Sequence, residues 1–158
     1  AAVVVTAAGE KGMPAGIDDR VANASRMVEA ALARAIPPAD IHIDPLIFPV
    51  SVDASFPGHA LGAMRALRDR WGPEIHITGG FSNVSFGIPY RRAINDAFLR
   101  MAVEAGASSG IIDPVMNPPS RAFGMQPDTL AYRLAEDVLA GRDEHCRAYI
   151  GAWRRKEI

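Results

Sequence analysis

Short apolar runs alternate with longer stretches of helical period along most of the chain. That rhythm predicts βα units with parallel strands. Val3-Val4-Val5-Thr6 precedes a helical stretch over about residues 18 to 35, where Val21, Ala24, Val28, Ala31 and Leu32 form one apolar stripe. Asp18 or Asp19 is positioned to cap it, and Pro37-Pro38 ends it. Ile41-His42-Ile43 precedes a helix over about residues 58 to 71, with Leu61, Met64 and Leu67 inward and Arg65 and Arg68 toward solvent. A third run over residues 75–78 precedes a helix over about 90 to 105, carrying Ile94, Ala97, Phe98, Met101 and Ala102 inward and stopping at Gly106. The fourth strand, residues 110–112, leads into a Pro-rich loop and two helical segments, about 128 to 140 and 143 to 154. Such units in series build a doubly wound sheet or a closed barrel, and the pattern leaves both open. Either fold gathers chemistry at the C-terminal strand ends, here the loops beginning at Ala7, Asp44, Gly79 and Asp113.

The chain has 158 residues, 49% of them apolar, enough for one ordinary domain with a buried core. Lys plus Arg number 17 against 18 Asp plus Glu, so nothing favours nucleic acid or an anionic membrane surface as a partner. The longest apolar runs fall well short of the roughly 20 residues that span a bilayer. The cytoplasm is therefore the default compartment. Cys146, the one cysteine, precludes an internal disulfide and reads as a buried, inert thiol.

Two stretches carry candidate chemistry. Thr78-Gly79-Gly80-Phe81-Ser82-Asn83-Val84-Ser85 stands where a strand gives way to a helix, with glycines that admit close backbone approach and neutral side chains that donate and accept. It lacks the Walker lysine and the GxGxxG spacing of a phosphate loop. Asp44, at the end of an apolar strand and before Pro45-Leu46, can accept two parallel N–H bonds from a guanidine-like ring edge such as a pterin's; an Asp that caps its own turn explains the same pattern. Asp113-Pro114 repeats that pattern, and there the turn-capping role is favoured.

Asp44-Pro45-Leu46, Gly80-Phe81-Ser82-Asn83-Val84-Ser85, Arg91, Asn95, Phe98-Leu99, Met101-Ala102 and Gly106 together resemble the C-terminal half of the pterin-binding barrel of methyltetrahydrofolate:corrinoid methyltransferases. Glu10-Lys11-Gly12 adds to the likeness, while Gly9 and Phe86 depart from polar residues found in relatives. The resemblance implies an α/β chain forming the C-terminal half of a TIM (β/α)8 barrel, its four βα units being the fifth to eighth. On that reading residues 1–158 are a single pterin-binding domain incomplete at its N-terminus, since a complete barrel takes about 250 residues. It further implies transfer of the N5 methyl group of methyltetrahydrofolate to a Co(I) corrinoid, the cobalamin-type group of a partner protein. Asn83 would be catalytic, bonding near N5; Asp44, Gly80, Ser82, Ser85 and Arg91 would bind the folate.

No metal site is expected: His42, His59, His76 and His145 lack ligand spacing, and His42 and His76, at matching strand positions, more simply pack together. Two other functions fit the pattern. A dihydropteroate-synthase-like pterin enzyme typically places a lysine where Asn83 stands. A non-catalytic half-barrel would associate through its open strand edges, predicting a homodimer.

Overall fold

The computed structural model describes residues 1–10 and 12–158; Lys11, within the Glu10-Lys11-Gly12 likeness, lies outside the described residues. The protein is α/β, with a three-stranded parallel sheet and, among the described residues, six α-helices. The elements are β1 (Val3–Thr6), α1 (Ile17–Leu32), β2 (Ile41–Asp44), α2 (Phe56–Trp71), β3 (His76–Ile77), α3 (Arg91–Glu104), α4 (Pro119–Gly124), α5 (Leu130–Leu139) and α6 (Arg147–Arg154). Two compact units divide the chain: the first is Ala1–Leu46, His59–Gly80 and Ala102–Ile111, the second Ile47–Gly58, Phe81–Met101 and Ile112–Ile158. None of the described helices is long and apolar enough to cross a membrane.

In the first unit the strands lie in the order β1-β2-β3, with Val3 opposite Ile41, Thr6 opposite Asp44 and His42 opposite His76. Side chains alternate across the pleat. Val5, Ile41, Ile43 and Ile77 are buried on one face, which α1 covers over β1 and β2, while Val4 is 62% exposed on the other. The expected stripes of α1 and α2 are the buried ones, except that Val21 and Leu32 are only half-buried. The His42 and His76 rings stack at 4.6 Å, and His76 Nδ1 lies 3.1 Å from Ser108 Oγ, so these histidines pack as expected.

Three further details of this unit differ from the sequence reading. Neither Asp18 nor Asp19 caps α1, because the helix starts earlier, after Gly16; both acids stand in its first turn, where they suit the helix dipole, and Asp19 Oδ2 accepts from Ala15 N–H at 3.0 Å. Arg68 does not face solvent. Its guanidinium donates to the carbonyls of Gly72, Ile75 and Gly106, groups that no helix or strand satisfies. The fourth strand is reduced to a single parallel bridge between Gly80 and Ile111. Ser108 and Ser109 N–H both donate to Ile77 O, a doubling that interrupts the ladder as a bulge does, and pairing resumes only where Ile111 N–H donates to Gly79 O.

In the second unit α3 is buried from Ala93 to Leu99, and the Phe98 ring meets Phe81 edge-on at 5.9 Å. Thr129 caps α5 by accepting from Tyr132 N–H. The single helix expected over residues 143 to 154 is broken: His145 and Cys146 are left-handed, with φ of 56° and 55°, within a short 3₁₀ turn, Glu144–Cys146, that precedes α6. Asp143 compensates by accepting from the N–H groups of Ala148 and Tyr149, the first turn of α6. Cys146 is buried and burial pushes its thiol up, in keeping with an inert role. α4, absent from the sequence reading, is signalled by Pro119 in its first turn.

Candidate functional site

The loop after β3 winds into a 3₁₀ helix, Phe81–Ser85. Its apolar residues Phe81 and Val84 are buried, which turns Asn83 outward. Asn83 is exposed, its carbonyl accepts from Phe86 N–H at 3.1 Å, and its carboxamide has no partner among the described residues. Ser82 and Ser85, on either side, are fixed by Arg91. The guanidinium donates through Nη2 to Ser82 O at 2.6 Å and through Nε to Ser85 Oγ at 2.9 Å, and it lies 5.4 Å from the exposed Phe86 ring. Three of the sequence-predicted residues, Ser82, Ser85 and Arg91, thus form one hydrogen-bonded group, with Asn83 held between two of them.

Beside this group lies a cleft of about 500 Å³, lined by Ser82, Tyr90, Arg91, Asn95, Asp113 and Asn117 among others. Asp113 Oδ1 accepts from the N–H groups of Val115 and Met116, the turn-capping role favoured from sequence. Asn95, Asp96 and Asn117 are all buried polar residues. Sequence reasoning missed Asp96 and Asn117 entirely, and it met Asn95 only through a likeness.

In the first unit Asp44 stands at the end of β2, half-buried. Its Oδ1 accepts from Leu46 N–H at 2.9 Å, supporting the left-handed φ of 63° at Leu46. Turn capping is therefore real, and it engages one of the two carboxylate oxygens. The turn is pinned from behind by buried Arg20, whose Nε donates to Pro45 O and whose Nη1 donates to Gly16 O, each at 3.0 Å. Burial raises the Asp44 pKa above its ordinary 3.8, and the Leu46 hydrogen bond only partly offsets this. Gly80 lies two residues past Thr78, whose N–H donates to Ile43 O, and pairs with Ile111.

A stability prediction follows from Asp44. Because its folded-state pKa is raised, the folded chain holds the proton at pH values where the unfolded chain has lost it. Ionisation therefore costs stability as pH rises from 3.8 through the raised value, and the deficit is complete above it. Asn keeps the acceptor for Leu46 N–H and has no charge to bury. Asp44→Asn should melt above the wild type at neutral pH and match it near about pH 3; thermal unfolding at the two pH values checks this.

Gly9, one of the departures from relatives, packs against Asn23. Gly9 and Gly12 exchange two backbone hydrogen bonds, each 3.0 Å, and a Cβ at Gly9 would come within 2.7 Å of Asn23 Nδ2. The Asn23 amide fills that space and donates to Ala7 O at 3.0 Å.

The first unit holds a three-stranded parallel sheet and the second a hydrogen-bonded polar group, and the comparisons give the chain its class. The family model for pterin binding enzyme matches residues 1–113, and the chain belongs to that family. It is also similar to the methylcorrinoid:tetrahydrofolate methyltransferase of Eubacterium limosum, 31% identical over 147 residues that make up 93% of this chain and 50% of the relative. The chain therefore spans half the length of that relative.

Proposed function

We propose that the full-length protein transfers a methyl group between N5 of tetrahydrofolate and the cobalt of a corrinoid on a partner protein. One observation carries the reading: the carboxamide of Asn83 is exposed and unpartnered, on a loop fixed on both sides by Arg91. A side chain so presented is free to bond a ligand. Family membership and the relative's name support the class of reaction.

The chemistry asks for such a group. As the methyl leaves methyltetrahydrofolate, the N5–C bonding pair stays on nitrogen, the Co(I) pair makes the new Co–C bond, and N5 takes up a proton. Nitrogen is a poor leaving group, so a donor that bonds N5 more strongly as its charge changes lowers the barrier. Asn83 takes that role. Asp44, with one oxygen uncommitted to its turn, accepts N–H bonds from the pterin ring edge. Gly80 and Ser82 contribute contacts along the same loop, and Ser85 and Arg91 hold it in shape. The relative's name runs from methylcorrinoid to tetrahydrofolate. By microscopic reversibility the same residues serve both directions.

On this reading the strands belong to the C-terminal half of a TIM-type barrel, with the remaining strands supplied by the rest of a longer polypeptide. The parallel order, the helix-covered face opposite exposed Val4 and the doubled length of the relative support it. The full-length protein, mixed with methyltetrahydrofolate and a Co(I) corrinoid protein, should convert the cobalt absorption spectrum to that of the methylated form. No spectral change in either direction of the reaction would contradict the proposal.

A further inference from the structure

Asn117 and Arg121 lie beyond residues 1–113, the part matched by the family, yet through side chains of α3 they connect to the loop that carries Asn83. The contacts run in one line. Arg91 Nε donates to Ser85 Oγ at 2.9 Å, Ser85 Oγ donates to Asn95 Oδ1 at 2.6 Å, Asn95 Nδ2 donates to Asn117 Oδ1 at 3.4 Å, and Asn117 Nδ2 donates to Asp96 Oδ1 at 3.2 Å. Arg121 closes the far end, bonding Asp96 through Nε at 2.6 Å and Nη2 at 3.0 Å. A guanidinium can only donate, so Ser85 Oγ receives from Arg91, and its own proton faces Asn95 Oδ1 at 2.6 Å and Ser82 O at 3.3 Å, the shorter contact running to Asn95. With Asn95 Oδ1 accepting there, its amide N–H group is left to donate to Asn117. Ser85 is fully buried, Asn95 and Asn117 are each 8% exposed and Asp96 is 2% exposed, so no link is easily replaced by water.

From this geometry we infer that Asn95, Asn117, Asp96 and Arg121 are positioning residues that hold the Phe81–Ser85 loop and so fix the backbone from which the Asn83 carboxamide projects. The inference rests on the proposed role of Asn83 only for its effect on turnover. The chain acts through Ser85 and Ser82, which flank Asn83; with both fixed, the exposed side chain between them needs to order little more than its own rotamers on meeting substrate. The segment from Asn117 to Arg121 thereby becomes part of the functional unit although it touches the loop only through other side chains.

Two measurements on the full-length protein decide this, with Asn117→Ala and, should that variant fold poorly, Arg121→Lys, which keeps the charge beside Asp96 but loses the planar fork. In amide hydrogen exchange, Phe86 N–H, which closes the loop on Asn83 O, and Ile88 N–H, bonded to Ser85 O, should exchange roughly tenfold faster while α5 amides keep their rates. Unchanged exchange at Phe86 and Ile88 overturns the inference, whatever the assay shows. In a double-mutant cycle, the variant should lose about tenfold in kcat on its own and nothing further in an Asn83→Ala background. Additive losses also overturn it, since they would mean that the chain stabilises the unit without directing Asn83. Normal turnover by Asn83→Ala alone would instead contradict the proposed function, and the exchange data would then decide the loop's dependence on the chain by themselves.

Discussion

Asn83→Ala in the full-length protein should lower methyl-transfer turnover by about a hundredfold, the usual loss when one donor is withdrawn from a developing charge. Thermal unfolding should stay unchanged, because the residue is exposed and its side chain bonds no described group; such surface changes stay within about 0.5 kcal/mol. Both halves matter. The backbone bond from Phe86 N–H to Asn83 O survives the substitution, so the loop keeps its 3₁₀ form and any loss of rate belongs to the missing amide. The effect should fall mainly on kcat, since a bond that strengthens only as the methyl moves contributes little to ground-state affinity. A large rise in KM at constant kcat would assign Asn83 to binding instead.

Arg121→Ala should have the largest effect on stability. The Asp96 side chain is 3% exposed and the Arg121 side chain 31%, so removal of the guanidinium leaves a buried carboxylate with Asn117 as its remaining partner in the polar chain. Breaking one side of a buried ion pair costs about 3 to 5 kcal/mol, because the remaining charge keeps its desolvation penalty and loses its compensation. Denaturant unfolding of wild type and variant measures it. Arg121→Ala together with Asp96→Leu should recover much of the loss, since the charge and its partner then leave together. A single-variant loss under about 1 kcal/mol would mean that water reaches Asp96 and that the pair behaves as a surface bridge.

Much of the fold was legible in the sequence because apolar spacing reports burial directly. Val5, Ile43 and Ile77 alternate as strand residues must, and Leu61, Met64 and Leu67 recur at the helical period. The fourth strand was misjudged because Gly110-Ile111-Ile112 has strand composition, while its pairing is spoiled upstream by Ser108 and Ser109, whose shared acceptor no local pattern reveals. Arg68 was misjudged for a similar reason. Its period places it on the outer face, but the carbonyls it satisfies come from as far along the chain as Gly106. The candidate residues Asp44, Asn83 and Arg91 stood out through their likeness to a family motif. Their supports did not: Asp96, Asn117 and Arg121 look like ordinary surface polar residues, and their partners lie 21 to 25 positions away. One signal was available in the run from Ala93 to Leu99, which is apolar except for Asn95 and Asp96; polar residues embedded in so apolar a helix call for partners.

The central claim is that this chain holds a pterin through the Asp44 carboxylate, and titration of methyltetrahydrofolate into the full-length protein and its Asp44→Asn variant tests it most directly. The account predicts binding by the wild type and roughly ten- to a hundredfold weaker binding by the variant, the loss expected when a charged acceptor becomes neutral, alongside the higher melting temperature at neutral pH. Equal affinity in the two proteins would contradict it.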